Sequence, residues 1–507
     1  MKSSLIYLVS VIVFLSLFAL SYTGRVVGPD QQWYQIETEL ALKSGNPLQI
    51  DYNRVYDACI ENEKIAYLPI HHSLYHVFVF LYAKVLGSFH GILLSNLVAA
   101  FVGMFFISKS TYLITKSHLY SAIVGALVLI YPLTFWYTIQ ALQEIHFFAW
   151  SSIIVFFYLK SLYAIPNSKE EFVSKISMYV LCCIGIFLYP VFLMTLAFLL
   201  FFELIFDAKK NKYMVLFFSV IGLFCYYLAG LLFPSLVGEL LMTNIFYGER
   251  SPSTLGAFFM SLTESFEPIS WFLHKTKRFF LAVIEYGYAA VFFLSSFALL
   301  FLNLFLLWKK PNIQTFKISI LLFSFALAIF AMMFLSQCRV RYLLYMYPAL
   351  IVSLVYFIKN IAFVQKIKGR YLAMGFVFLF ISFILGDLIF IRKFKRTNDL
   401  DMALELSYHE NFSYKLKAED RLLLLVKNLE SHESDALVSF SPLTTRVYVP
   451  YMENSYEDIV RRSNKFSATK ILIYEHSSEY VKDICSEFTD KGIIEIGGAK
   501  YLYFEKP

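Results

Sequence analysis

For its first 391 residues the chain alternates long apolar runs with short polar connectors. The runs lie near 4–22, 89–108, 119–134, 143–160, 174–189, 190–206, 213–233, 281–307, 318–335, 343–359 and 371–391. Each has about the ~20 residues that a bilayer core requires, or somewhat fewer. The pattern predicts a polytopic α-helical membrane protein of about eleven transmembrane helices. Pro190 divides the 174–206 region, which reads as a hairpin or as one kinked span. The first run ends in Ala19-Leu20-Ser21, a passable signal-peptide cleavage site, but the spans that follow favour an uncleaved first helix.

The connectors set the orientation. Lys109 and Lys116, Lys160, Lys169 and Lys175, Lys209, Lys210 and Lys212, Lys309, Lys310 and Lys317, and Lys359, Lys366, Lys368 and Arg370 all fall on one side. The positive-inside rule makes that side cytoplasmic. The N-terminus is then cytoplasmic, and the 23–75 loop, the 234–280 loop and the C-terminal tail are extracytoplasmic. Arg392, Lys393, Lys395 and Arg396 run against this pattern, because they follow the last span on the outer side.

Beyond the last span the pattern changes. Short strand-like runs (436–440, 470–476, 492–496 and 500–506) separate helical stretches near 418–431 and 477–489. Gly497-Gly498 between the last two runs predicts a hairpin turn. The expected division is a multi-span domain, 1–391, and a small extracytoplasmic α/β domain, 392–507. The tail holds no recognisable catalytic motif.

Composition sharpens this reading. Hydrophobic residues make up 58% of the chain and charged ones 16%, which no soluble fold of 507 residues could bury. The net charge of +7 reflects the cytoplasmic loops, so membrane lipids and not nucleic acid are the expected contacts. The six cysteines form no metal-binding spacing. Cys182, Cys183 and Cys225 fall in apolar runs; Cys59, Cys338 and Cys485 fall outside, where a disulfide is chemically open to them.

Candidate chemistry concentrates in the external loops. In GPDQQWYQIETELALKSG, 28–45, Pro29 suits a first helical turn and Asp30 its positive end. Helical spacing puts Asp30, Trp33, Tyr34 and Glu37 on one face. The bland reading is a charged helix start. The functional one is a carboxylate at the membrane boundary beside rings that can stack on a sugar. Glu37, Glu39, Asp51 and Asp57 are alternatives for the same role. In YLPIHHSLYHVFVFLYAKVLG, 67–87, a juxtamembrane helix carries His71 and His72 towards the same side. Glu144 and His146 enter the fourth span from its outer end, where a carboxylate faces either a polar cavity or headgroup water. Arg339 and Arg341 are the cations of a bare external turn, suited to phosphate or to snorkelling. The 234–280 loop, with His274, Lys275, Lys277 and Arg278, reads as an interfacial helix, either resting in the headgroup layer or acting as a lid over a lipid phosphate.

Taken in order, these parts resemble the GT-C superfamily of polyprenyl-phosphate-sugar-dependent glycosyltransferases, which includes protein mannosyltransferases and aminoarabinose transferases. The matching segments are the acid after the first span (Asp30), YLPIHHSLYHVFVFLYAKVLG, the Pro132–Glu144 hairpin and RYLLYMYP at 341–348. The second proline usual in the second motif is replaced by Ile70, and the Asp-Glu pair typical of protein mannosyltransferases is missing. The resemblance implies an inverting transferase with Asp30 as general base. It implies that Glu144 and His146 orient substrate or hold a divalent metal, and that Arg341 and Tyr342, with Lys64 or Lys277 and Arg278, bind the donor phosphate. Trp33, Tyr34 and His71 would complete the substrate site. The implied partners are a polyprenyl-phosphate-linked sugar and a glycan or lipid acceptor, such as O-antigen or another lipopolysaccharide, at a bacterial inner membrane. The rival readings are a transporter or flippase, which needs ionisable groups at mid-span, and a polymerase of lipid-linked sugars.

Overall fold

The computed structural model describes residues 2–25, 29–48, 59–60, 63–64, 73–140, 142–232, 277, 298–299, 301–302, 305, 312–335, 342–360, 369–417, 419–425, 437, 440, 445–448, 460, 464, 466–475 and 484–507. The apolar runs form helices: α1 (Lys2–Ser21), α4 (Ser88–Thr115), α7 (Glu144–Tyr163), α8 (Lys169–Gly185), α9 (Val191–Leu232), α10 (Ile313–Leu335), α11 (Leu343–Asn360) and α12 (Gly369–Asn411). The polar connectors add α2 (Pro29–Ser44) and a β1–β2 pair (Cys59–Ile60, Glu63–Lys64). Shorter apolar stretches give α3 (Leu74–Leu86), α5 (His118–Leu129) and α6 (Pro132–Ile139).

Seven described helices are long and apolar enough to cross a membrane, or eight if α5 and α6 count as one. The fold is therefore the polytopic helical bundle that the pattern predicts. Its count differs from eleven for physical reasons. The run at 119–134 is bent by 51° between α5 and α6. Pro132 ends one helix and starts the next, because it supplies no N–H and fixes its own φ at a helix N-terminus. The run at 190–206 is short, and the chain then doubles back: a Cβ on Gly222 would lie 2.6 Å from Leu196 of the same helical run. Most of the 281–307 run and the 234–280 loop lie outside the described residues.

α12 does not stop at the edge of its apolar run but continues as helix through Arg392–Arg396 to Asn411. It leads to a five-stranded mixed sheet in the order β4-β3-β5-β7-β6: β3 (Arg421–Leu425), β4 (Arg446–Tyr448), β5 (Lys470–Tyr474), β6 (Thr489–Ile496) and β7 (Ala499–Glu505). Gly497 and Gly498, at φ 59° and 81°, make the predicted hairpin turn of β6 and β7. The expected helix near 418–431 is corrected at Arg421–Leu425, whose RLLLL is β3, parallel to both β4 and β5; residues 426–431 lie outside the described residues. A continuous apolar run suits a strand covered on both faces as well as it suits a helix. Leu437 and Phe440, expected in a strand, are helical.

The membrane helices share one large buried cluster. A second joins Ile36, Leu40 and Ala41 of α2 to Tyr408 and Phe412 after the last span and to Leu422, Leu472, Tyr501 and Tyr503 of the sheet. α2 is thus held between the bundle and the sheet. α2 and the C-terminal tail lie at the same end of the bundle.

Candidate functional site

The site is built where α2 and the first turn of α3 meet the start of α7. Ser73 is extended (φ −154°, ψ 178°), and its Oγ accepts the N–H of Tyr75 at 3.2 Å, which caps α3. The same hydroxyl donates to Gln143 Oε1 at 3.2 Å, and the N–H of Leu74 donates to the Phe187 carbonyl at 2.9 Å. These bonds fix the first turn of α3 against the start of α7 and the α8–α9 turn.

That first turn carries Tyr75 and His76. His76 Nε2 lies 2.5 Å from Glu37 Oε2, and both side chains are fully buried. Tyr34, one turn before Glu37 on α2, stacks on the His76 ring at 5.8 Å and meets Tyr75 edge-on at 5.3 Å. Tyr75 in turn meets His146 edge-on at 4.9 Å. His146 Nε2 and Ser95 Oγ of α4 form a 2.9 Å hydrogen bond. Glu144, the first residue of α7, is fully buried at the positive helix end. Burial, then Glu144 and Glu37, hold the Tyr75 phenol well above its ordinary range, so it remains an O–H donor. Its hydroxyl has no hydrogen-bond partner among the described residues.

Two carboxylates, two imidazoles and a neutral phenol therefore meet where water is scarce. Such a set positions and exchanges protons. Beside the first turn of α2 lies a shallow cleft lined by Tyr22, Thr23, Arg25, Gln31, Phe89 and Phe394 among others. Arg25 pairs with Glu405, and its Nη2 lies 4.0 Å from Asp401, both on α12. Among the described residues, no three His, Cys, Asp or Glu side chains are grouped to hold a metal.

The residues expected from sequence fall into three groups. Glu144, His146 and Tyr34 are in the cluster. Tyr34 is not an open stacking platform, since it is fully buried against His76 and Tyr75. Headgroup water does not reach Glu144. Tyr342 is buried at the entry to α11, its ring 5.2 Å from that of Tyr189, which stacks on Phe147 of α7. Lys277 is helical and exposed. The backbones of Asp30 and Trp33 lie in the first turns of α2 and that of Lys64 in β2, but their side chains lie outside the described residues, as do His71, Arg278, Arg339 and Arg341. Glu39, an alternative base, is held by Gln35 at 2.9 Å and Ser88 at 3.0 Å.

Sequence reasoning missed His76, Tyr75 and Ser95. The available signals were Ser73 as a helix cap two residues before Tyr75, and the stripe that puts Glu37 one turn after Tyr34. Cys485 is a buried free thiol and takes no part in a disulfide.

No protein-family model and no curated protein matches the chain. Among solved structures, ArnT from Cupriavidus metallidurans in the apo state superposes with a TM-score of 0.57 at 12% identity, over 98% of this chain and 97% of that one. ArnT from the same organism bound to undecaprenyl phosphate gives 0.57 at 12% identity, over 99% and 97%. An oligosaccharyltransferase from Archaeoglobus fulgidus gives 0.49 at 10% identity, over 98% and 74%. The chain is structurally similar to ArnT along nearly its whole length and shares its fold.

Proposed function

We propose that this protein is an inverting glycosyltransferase of the bacterial inner membrane. It takes a sugar from a polyprenyl-phosphate donor and places it on a surface glycan or lipid at the extracytoplasmic face. The observation that carries the reading is the buried Glu37–His76–Tyr75–Glu144 cluster beneath α2, in a fold like that of an ArnT that binds undecaprenyl phosphate.

In this reading residues 1–391 bind and transfer, and 392–507 form the extracytoplasmic cover. The acceptor hydroxyl oxygen attacks the anomeric carbon as the bond to the phosphate oxygen breaks. The hydroxyl proton passes to Asp30 and the phosphate leaves with the polyprenyl chain. One displacement inverts the anomeric carbon. Arg341, Lys64, Lys277 and Arg278 neutralise the phosphate, and Trp33 and His71 meet the sugar. Glu37, His76 and Tyr75 position α2 and therefore Asp30. Glu144, with Ser95-bound His146, orients the acceptor.

The test is mass spectrometry of surface polysaccharide and lipid A from cells carrying the wild type, Asp30→Asn or an empty vector. Wild type is expected to add a sugar-sized increment that Asp30→Asn, present at equal level, does not. An active Asp30→Asn moves the base to another carboxylate of the loop. A wild type that adds nothing to either glycan overturns the choice of acceptor. It would favour a carrier of lipid-linked sugars, for which Asp387, a fully buried carboxylate on α12, is the feature to pursue.

A further inference from the structure

The opposite end of the bundle holds a second cavity that the transfer reaction does not use. It has a volume of about 180 Å³ and lies between α7, α8, α9 and α10. Tyr158 on its wall is fourteen residues beyond Glu144 on α7, about 21 Å along the helix. Lys175, Glu203, Lys317, Tyr158 and Ser161 give it a polar side, and residues such as Phe202 an apolar one.

The charges are interleaved. Lys175 Nζ lies 2.7 Å from Glu203 Oε1 and 3.6 Å from Glu171 Oε1, with Lys175 and Glu203 both largely shielded from water. The Tyr158 hydroxyl donates to the Lys317 main-chain carbonyl at 2.6 Å, which ties the start of α10 to α7 and keeps Lys317 on the cavity wall. Next to Phe202 and Glu203, the apolar Phe201, Leu204 and Ile205 are 54%, 46% and 52% exposed, as expected of a surface that faces lipid tails. A headgroup-sized space with charges of both signs therefore sits at the edge of the apolar belt.

We propose that this cavity binds the phosphoethanolamine headgroup of a membrane phospholipid. Its phosphate meets Lys317 and Lys175, its ammonium meets Glu203, with Glu171 behind Lys175, and its acyl chains lie along the exposed face of α9. Two lysines opposed by two glutamates match a zwitterion. A purely anionic headgroup would place its charge against both carboxylates. A choline headgroup has no N–H to donate to them.

The test uses the full-length protein, purified in detergent. Co-purified lipid is identified by mass spectrometry. The melting temperature is then followed with added phosphatidylethanolamine, phosphatidylglycerol or inorganic phosphate. Phosphatidylethanolamine is expected to be enriched several-fold over its share of the membrane and to raise the melting temperature more than the other two. Lys317→Met should reduce this preference, and Ser161→Trp, which fills the space without changing charge, should abolish it. Both leave the Lys175–Glu203 pair intact, so folding and binding are read separately. Equal effects of the two lipids, stabilisation by phosphate alone, or an unchanged preference in both variants would each overturn the proposal.

Discussion

Among the described residues, the Glu37–His76 contact is a pair whose partners are both wholly buried. Removing one member of such a pair leaves the other desolvated, at a cost of about 3–5 kcal/mol. His76→Ala is therefore expected to lower the melting temperature in detergent sharply. Replacing both residues with apolar groups of similar volume, Glu37→Met with His76→Leu, should restore most of it. If sugar transfer returns with the melting temperature, the pair only supports the fold; if transfer stays lost, the pair positions the site. Cys485 gives a second prediction. Burial, and secondarily Asp490, push its thiol from 9.0 up to about 12. A thiol raised in the folded state stabilises it fully below pH 9.0, and that contribution fades as pH rises through about 12. At pH 8 the native protein should resist maleimide at Cys485, and denaturant should make it react.

Among the helices, close approach is set by small residues. A Cβ on Gly91 of α4 would lie 2.4 Å from the Ala83 Cα of α3, a backbone atom that cannot turn aside. Gly91→Ala should push α3 off α4 and disturb the first turn that holds Tyr75 and His76, at a cost of about 2 kcal/mol. Thermal unfolding measures the cost, and a matched change at Gly375, where a Cβ meets nothing within 4 Å, provides the control. The elements themselves were largely legible. Apolar length identified most of the membrane helices, Pro29 started α2, and Gly497-Gly498 turned the last hairpin. What escaped depended on non-local partners. Arg421–Leu425 is a strand only because β4 and β5 flank it, and nothing in RLLLL specifies them. Likewise Glu144 was visible as a carboxylate in an apolar run, whereas His76 became a site residue only when α2 folded over α3.

For the whole molecule, the question is what the terminal sheet does for the membrane bundle. The sheet buries the outer side of α2 through Ile36, Leu40 and Ala41, while the inner side of α2 carries Tyr34 and Glu37 into the bundle. Arg25 adds an ionic tie from the start of the same loop to Glu405 and Asp401 on α12. α2 is a weak helix by itself, with sixteen residues and a polar outer turn. Its position must come from these two surfaces. Truncation after Asn411 should therefore leave the membrane helices inserted but free α2, so that protease added to the outer face cuts within 29–44 and sugar transfer falls to background. Leu40→Asp gives the same result by a smaller change, since it places a charge in the α2–sheet contact and leaves every proposed reacting group in place. Full transfer by either variant would mean that α2 is held by the bundle alone and that the sheet has another purpose. Protection of α2 in the wild type, lost together with transfer in both variants, would make the sheet the part that holds α2 against the bundle.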